Sequence, residues 1–240
     1  SDRGHALAGC ADDNRECIAL CLFLVYPPRR SAPKLINRTL PLSRSEQIGL
    51  PLRLKDSASL ENFFVGENLE VIDLLKSLAD RQMPRVAYLH GPQGSGKSHL
   101  LQAFCRRGLS DGGTPFYISL AMPEVPIEML DDLAAQGAVC LDDVDAVAGR
   151  KDWEEGLLNL FETLAGQGGQ FLLAGRYPPI QAGFLLADLA TRLASGGVWA
   201  VQPLAEKDLP EAMRLRARQR GLDMPDAVIN YLIRRVPRDP

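Results

Sequence analysis

A chain of 240 residues, 46% hydrophobic and 24% charged, carries enough apolar material for one α/β domain with an appendage, or for two small domains. The formal net charge of −3, from 27 basic against 30 acidic side chains, argues against a broad cationic face, so strong direct nucleic-acid binding is not expected. The five cysteines include no C-x-x-C pair, which excludes an evident zinc or disulfide framework; Cys105 and Cys140 read as reduced core thiols of a cytoplasmic protein.

Residues 1–41 carry three cysteines, a Pro-Pro-Arg-Arg turn and no clear periodicity, and the first methionine is Met83. This stretch reads as an N-terminal extension, disordered or translated from upstream of the natural start. Its apolar run Ile18–Tyr26 is too short to cross a bilayer and follows Asp12, Asp13 and Glu16 instead of a basic region, so no membrane association is expected. Residues 42–56 form an extended segment containing Gln47-Ile48-Gly49-Leu50-Pro51-Leu52. Pro51 drives Leu50 toward β or polyproline geometry, so Leu50 and Leu52 project as apolar anchors beside the Gln47 amide. By pattern alone this is a linker with some leucines.

From residue 57 an α/β rhythm begins. Apolar spacing predicts a helix over Leu69–Ala79, a strand over 85–90 and a helix over 97–107. A strand over Thr114–Leu120, a helix over Ile127–Gln136, a strand over Ala138–Leu141 and a helix over Trp153–Leu164 follow. Phe171–Ala174 and Val198–Val201 supply two more buried strands. Five strands alternating with helices imply a doubly wound, five-stranded parallel sheet with its ligand outside the strand C-termini. Gln202-Pro203-Leu204 closes this domain, 57–204. Helical segments Glu206–Arg220 and Pro225–Arg235, parted by Gly221, begin a small helical domain over 205–240, whose thin core reads as truncated at Pro240.

The chemistry concentrates at residues 91–98, Gly91-Pro92-Gln93-Gly94-Ser95-Gly96-Lys97-Ser98, the pattern G-x-x-x-x-G-K-[ST] between a strand and a helix that continues with His99. Glycines let the backbone turn sharply and approach an anion, bare N–H groups cradle phosphate, Lys97 reaches the β/γ-phosphates and Ser98 can ligate Mg²⁺. About forty residues on, an apolar strand ends in Asp142 and Asp143. Asp142 is the candidate second metal ligand and Asp143 the candidate water-orienting carboxylate; uncoupled from the loop, the pair would be a solvated acidic turn. Arg192 is either a solvated charge or an arginine finger acting on nucleotide in a neighbouring subunit. Arg214, Arg216, Arg218 and Arg220, spaced by two, fall on several helix faces and read as solvated.

Taken in order, Gly96-Lys-Ser-His-Leu-Leu101, Leu141-Asp-Asp-Val144, Gly175-Arg-Tyr-Pro-Pro179 and Asp188–Leu193 resemble the AAA+ ATPases of the DnaA/Hda clade, most closely its Hda branch. The resemblance covers about residues 45–240. It implies an AAA+ core with a partial helical lid, and ATP or ADP with Mg²⁺ held by Gly91–His99 and by Arg238 at the sensor-II position. It further implies that Phe63–Asn68 packs on the adenine, and that Gln47, Ile48, Leu50, Pro51 and Leu52 bind the DNA polymerase sliding clamp. Arg192 would then be a finger acting in trans, DnaA the second partner, and self-association possible. The implied activity is stimulation of hydrolysis of DnaA-bound ATP, a negative regulation of replication initiation, with weak or no turnover by the chain itself. Alternatives are an autonomous AAA+ ATPase such as a helicase loader, a non-catalytic adaptor, or DnaA itself. The sequence departs from the clade at Ala174-Gly175-Arg176, which lacks the hydroxyl or carboxylate often found at the sensor-I turn.

Overall fold

The computed structural model describes residues 58–80, 85–110 and 114–235, so the N-terminal extension, the Gln47–Leu52 segment and Arg238 lie outside the described residues. Helix α1 (Leu69–Ala79) buries Val71, Ile72, Leu74, Leu75 and Leu78, the stripe that its spacing demands. Five strands follow: β1 (Val86–His90), β2 (Pro115–Ser119), β3 (Ala138–Asp142), β4 (Gln170–Gly175) and β5 (Val198–Ala200). They are joined by α2 (Lys97–Ser110), α3 (Met129–Leu133), α4 (Lys151–Gln167) and α5 (Ala187–Ser195). The sheet order is β2-β3-β4-β1-β5, and every pairing is parallel.

Alternation along the strands divides two apolar faces. Ala87, Leu89, Cys140, Leu172 and Ala174 form one core with α1 and α2. Tyr88 and Phe171 have the opposite parity, and Phe171 meets Phe161 of α4 at 6.3 Å between ring centroids. Cys105 and Cys140 are both buried free thiols.

Two expectations change. The helix foreseen over Ile127–Gln136 is regular only over Met129–Leu133, because Met129, Leu130 and Leu133 alone are buried and turns flank them. Strand β5 is not buried like β4: among the described residues it pairs only with β1, and Val198 and Ala200 are exposed. An edge strand keeps the apolar signal of a core strand in sequence while losing one neighbour in space.

The sheet unit runs through Asp208, just beyond the boundary expected at residue 204, and the helix pair begins at Leu209. That pair consists of α6 (Leu209–Gln219) and α7 (Asp226–Arg235), which bury Ala212, Ala217, Ile229 and Leu232. Arg214 donates to Asp226 at 2.6 Å, while Arg216, Arg218 and Arg220 are exposed.

Candidate functional site

Because β4 lies between β1 and β3, the loop after β1 and the carboxylates ending β3 flank the C-terminal end of β4. That end of a parallel sheet is where α/β proteins bind ligands. The loop itself needs its glycines. Gly94 and Gly96 lie in the left-handed region, with φ of +81° and +100°, and a Cβ on Gly96 would run into the Phe63 ring. Helix α2 starts at Lys97 with no acidic residue in its first turn, leaving its N-terminal amides and dipole available to an anion. Within the loop the Ser95 hydroxyl is buried with no partner among the described residues.

Lys97 is only 8% exposed, and its ammonium donates to the carbonyls of Gly91 at 2.8 Å and Pro92 at 3.0 Å. Burial lowers its pKa, while the facing carboxylates of Asp142, Asp143 and Asp145 oppose that shift. Asp142 is 1% exposed. It accepts the Tyr117 hydroxyl at 3.0 Å and the Asp143 amide at 3.0 Å. Burial raises its pKa and the nearby Ser98 hydroxyl counters it. Asp143, at φ +53°, is the one non-glycine residue with a left-handed backbone among the described residues, and its carboxylate accepts the Ser119 hydroxyl at 2.7 Å. A backbone held in that region at a strand end belongs with the strained turns that cluster at binding sites. Asp145 accepts the Arg176 amide at 2.9 Å, tying the turn after β3 to the turn after β4.

The structure thus gathers Gly91–Ser98, Asp142 and Asp143 at one end of the sheet. His99 lies beside the loop: its ring meets Phe63 at 5.8 Å and its Nε2 contacts the Ser59 carbonyl at 2.9 Å. Phe63, the first residue of the Phe63–Asn68 stretch, therefore sits on the phosphate loop. Asn68, although at the N-cap of α1, makes no capping bond. Its amide instead clamps the Gln202 backbone in both directions, at 2.7 and 3.0 Å. Arg192 is not brought to this crevice. It lies on the surface of α5, paired with Glu162 at 3.5 Å and Asp188 at 3.4 Å.

Sequence reasoning missed Tyr117, Ser119 and Glu154. Alternation on β2 was the available signal for the first two, since residues of one parity share the face on which the β3 carboxylates emerge. Glu154, fully buried on α4, accepts the amides of Gly149 at 2.8 Å, Leu185 at 3.0 Å and Leu186 at 2.7 Å. It thereby anchors the segment that leads into α5. A Glu154→Ala variant leaves these donors unpaired, and urea denaturation should show a loss of about 3 kcal/mol, at roughly 1 kcal/mol or more per donor.

The residues present fit a Mg²⁺-nucleotide. The loop supplies an anion cradle with a buried unpartnered hydroxyl, and Ser98 with Asp142 supplies the hard oxygen donors such a metal takes. Among the described residues no three His, Cys, Asp or Glu side chains form a ready metal cage. A Mg²⁺ at such a site would be held largely by phosphates and water, and would neutralise charge on the β- and γ-phosphates.

The phosphate loop, the buried carboxylate strand and the parallel sheet in this order define a P-loop NTPase core. Two family models match the sequence, each over less than half of the chain: "Hda, lid domain" over residues 206–240, and "RNA helicase" over residues 87–165, which contain the loop and Asp142–Asp143. Among solved structures, AMPPCP-bound DnaA from Aquifex aeolicus matches at TM-score 0.66 and 24% identity, covering 76% of this chain and 62% of that one. Domain III of the Thermotoga maritima replication initiation protein DnaA matches at TM-score 0.66 and 19% identity, covering 75% and 82%. A crystal structure of DnaI matches at TM-score 0.52 and 16% identity, covering 63% and 90%. The chain spans about three fifths of the length of the AMPPCP-bound DnaA structures. The lid match concerns residues 206–240 alone, and the DnaA structures share the fold of this chain.

Proposed function

We propose that this chain is an Hda-like regulator of bacterial replication initiation. It binds ATP or ADP with Mg²⁺ at Gly91–His99, Asp142 and Asp143, docks on the DNA polymerase sliding clamp through Gln47, Ile48, Leu50, Pro51 and Leu52, and stimulates hydrolysis of ATP bound to DnaA. The observation that carries the reading is the match of residues 206–240 to the Hda lid. The nucleotide is then chiefly a conformational ligand, and the consequential chemistry falls on the partner, to which Arg192 would be presented in trans. Arg238 would complete the nucleotide site from the lid. The protein acts in the cytoplasm; among the described residues no helix is long and apolar enough to cross a membrane.

The clamp arm is tested by binding purified clamp to the full chain and to a variant with Gln47, Leu50 and Leu52 changed to Ala. The expected result is a Kd of about 1 µM or tighter, weakened roughly tenfold or more in the variant, because apolar anchors dominate short-peptide docking. Equal binding by both proteins, or none, returns the segment to a linker. A second reading, an autonomous ATPase, is favoured by the gathering of Lys97, Ser98, Asp142 and Asp143 on one chain. Steady ATP turnover without clamp or DnaA would select it.

A further inference from the structure

One buried polar group at the end of the sheet has no function in the reading so far. Tyr88, in the middle of β1, is fully buried, and its hydroxyl has no hydrogen-bond partner among the described residues. A buried hydroxyl left unpaired is unfavourable by more than an ordinary hydrogen bond contributes, so its position calls for a cause. Register supplies the location. His90 pairs with Gly175, and Tyr88 shares the parity of His90, so the Tyr88 ring runs along the face toward the C-terminal end of β4. There Gly175 brings no side chain. A Cβ on Gly175 would collide with the Tyr88 hydroxyl and lie 3.0 Å from Asp145 Oδ1. The hydroxyl therefore fills the place where a residue-175 side chain would begin, beside a carboxylate that already accepts the Arg176 amide.

The charge of Asp145 is felt at the phosphate loop as well: it is among the acidic groups that favour the Lys97 ammonium, while Arg176 opposes it. A diphosphate and a triphosphate differ most in the negative charge they bring to Lys97 and to the end of β4. Extra phosphate charge repels Asp145 from Lys97, and the group placed to receive the carboxylate is the unpartnered Tyr88 donor. Burial, reinforced by Asp145, raises the Tyr88 pKa, which keeps the proton on that hydroxyl. We propose that Tyr88 is a positioning residue that distinguishes nucleoside triphosphate from diphosphate by donating a hydrogen bond from its hydroxyl to the Asp145 carboxylate when the terminal phosphate is bound, in place of a polar side chain at Gly175. The inference rests on the nucleotide-binding reading above and adds the means by which the site reads nucleotide state.

The test is a double-mutant cycle on ATP and ADP affinity by calorimetry, with Tyr88→Phe, Asp145→Asn and the pair. Tyr88→Phe is expected to weaken ATP about fivefold relative to ADP, the scale of one net hydrogen bond. Its thermal midpoint without nucleotide should be unchanged or higher, because the change removes only an unpaired hydroxyl. In the Asp145→Asn background the same change should leave the ATP/ADP ratio unmoved. An unchanged ratio in Tyr88→Phe overturns the proposal, whether or not the midpoint moves, and so does an equal loss in both backgrounds. If the wild-type chain binds neither nucleotide, the nucleotide-binding reading fails first; if it binds both and Tyr88→Phe behaves like wild type, only this inference falls.

Discussion

A Lys97→Ala variant is expected to lose at least about a hundredfold in affinity for both ATP and ADP, or about 2.7 kcal/mol, when titrated calorimetrically. The ammonium is the one cation held inside the loop, nearly buried and fixed by the Gly91 and Pro92 carbonyls. A phosphate entering the cradle meets a charge whose desolvation has already occurred on folding, so charge-assisted bonds form without reorganisation. The same substitution should change folding stability by only about 1 kcal/mol. It removes two hydrogen bonds, but also a buried charge whose lowered pKa shows that burial disfavours its ionised form. Retained affinity would mean that nucleotide does not sit on this loop.

The second large effect concerns Arg192. In an assay of DnaA-bound ATP hydrolysis, Arg192→Ala is expected to reduce stimulation by about a thousandfold or more, the scale of an arginine finger. Nucleotide binding by the chain itself should be unchanged, because Arg192 lies on α5 away from its own loop. Acting on a partner requires releasing Glu162 and Asp188. Both pairs are exposed, and such pairs contribute roughly 0–1 kcal/mol each, so the release is small beside the gain in trans. Arg192→Lys should fail nearly as completely, since a point charge does not reproduce a planar fork of donors. Stimulation that survives both changes would leave Arg192 as a surface ion-pair residue.

Much of the site was legible in the chain. Helix α1 falls on the residues foreseen for it, and the loop, its following helix and the Asp142 strand end lie where periodicity placed them. These are local features: a glycine-rich octet, a 3.6-residue stripe and an apolar run ended by carboxylates are each written within about a dozen residues. The errors are those of context. Residues 127–136 have a helical composition but bury only three apolar side chains, so one short regular stretch suffices. Strand β5 looks like β4 in sequence and differs because it lies at an edge.

By itself the sequence determined that a phosphate loop precedes a helix, that two carboxylates end an apolar strand, and that the whole alternates α with β. Tertiary structure decided which distant groups serve those parts. Tyr117 and Ser119 hold the two carboxylates from a neighbouring strand, and Glu154 anchors the approach to α5 across about thirty residues. Asn68 clamps the Gln202 backbone across 134 residues, and Tyr88 fills the space that Gly175 leaves. Periodicity reports which face of an element is apolar, because that depends on near neighbours in the chain. A hydrogen bond between remote strands leaves no period, because it depends on sheet order and register, which exist only after the chain has folded.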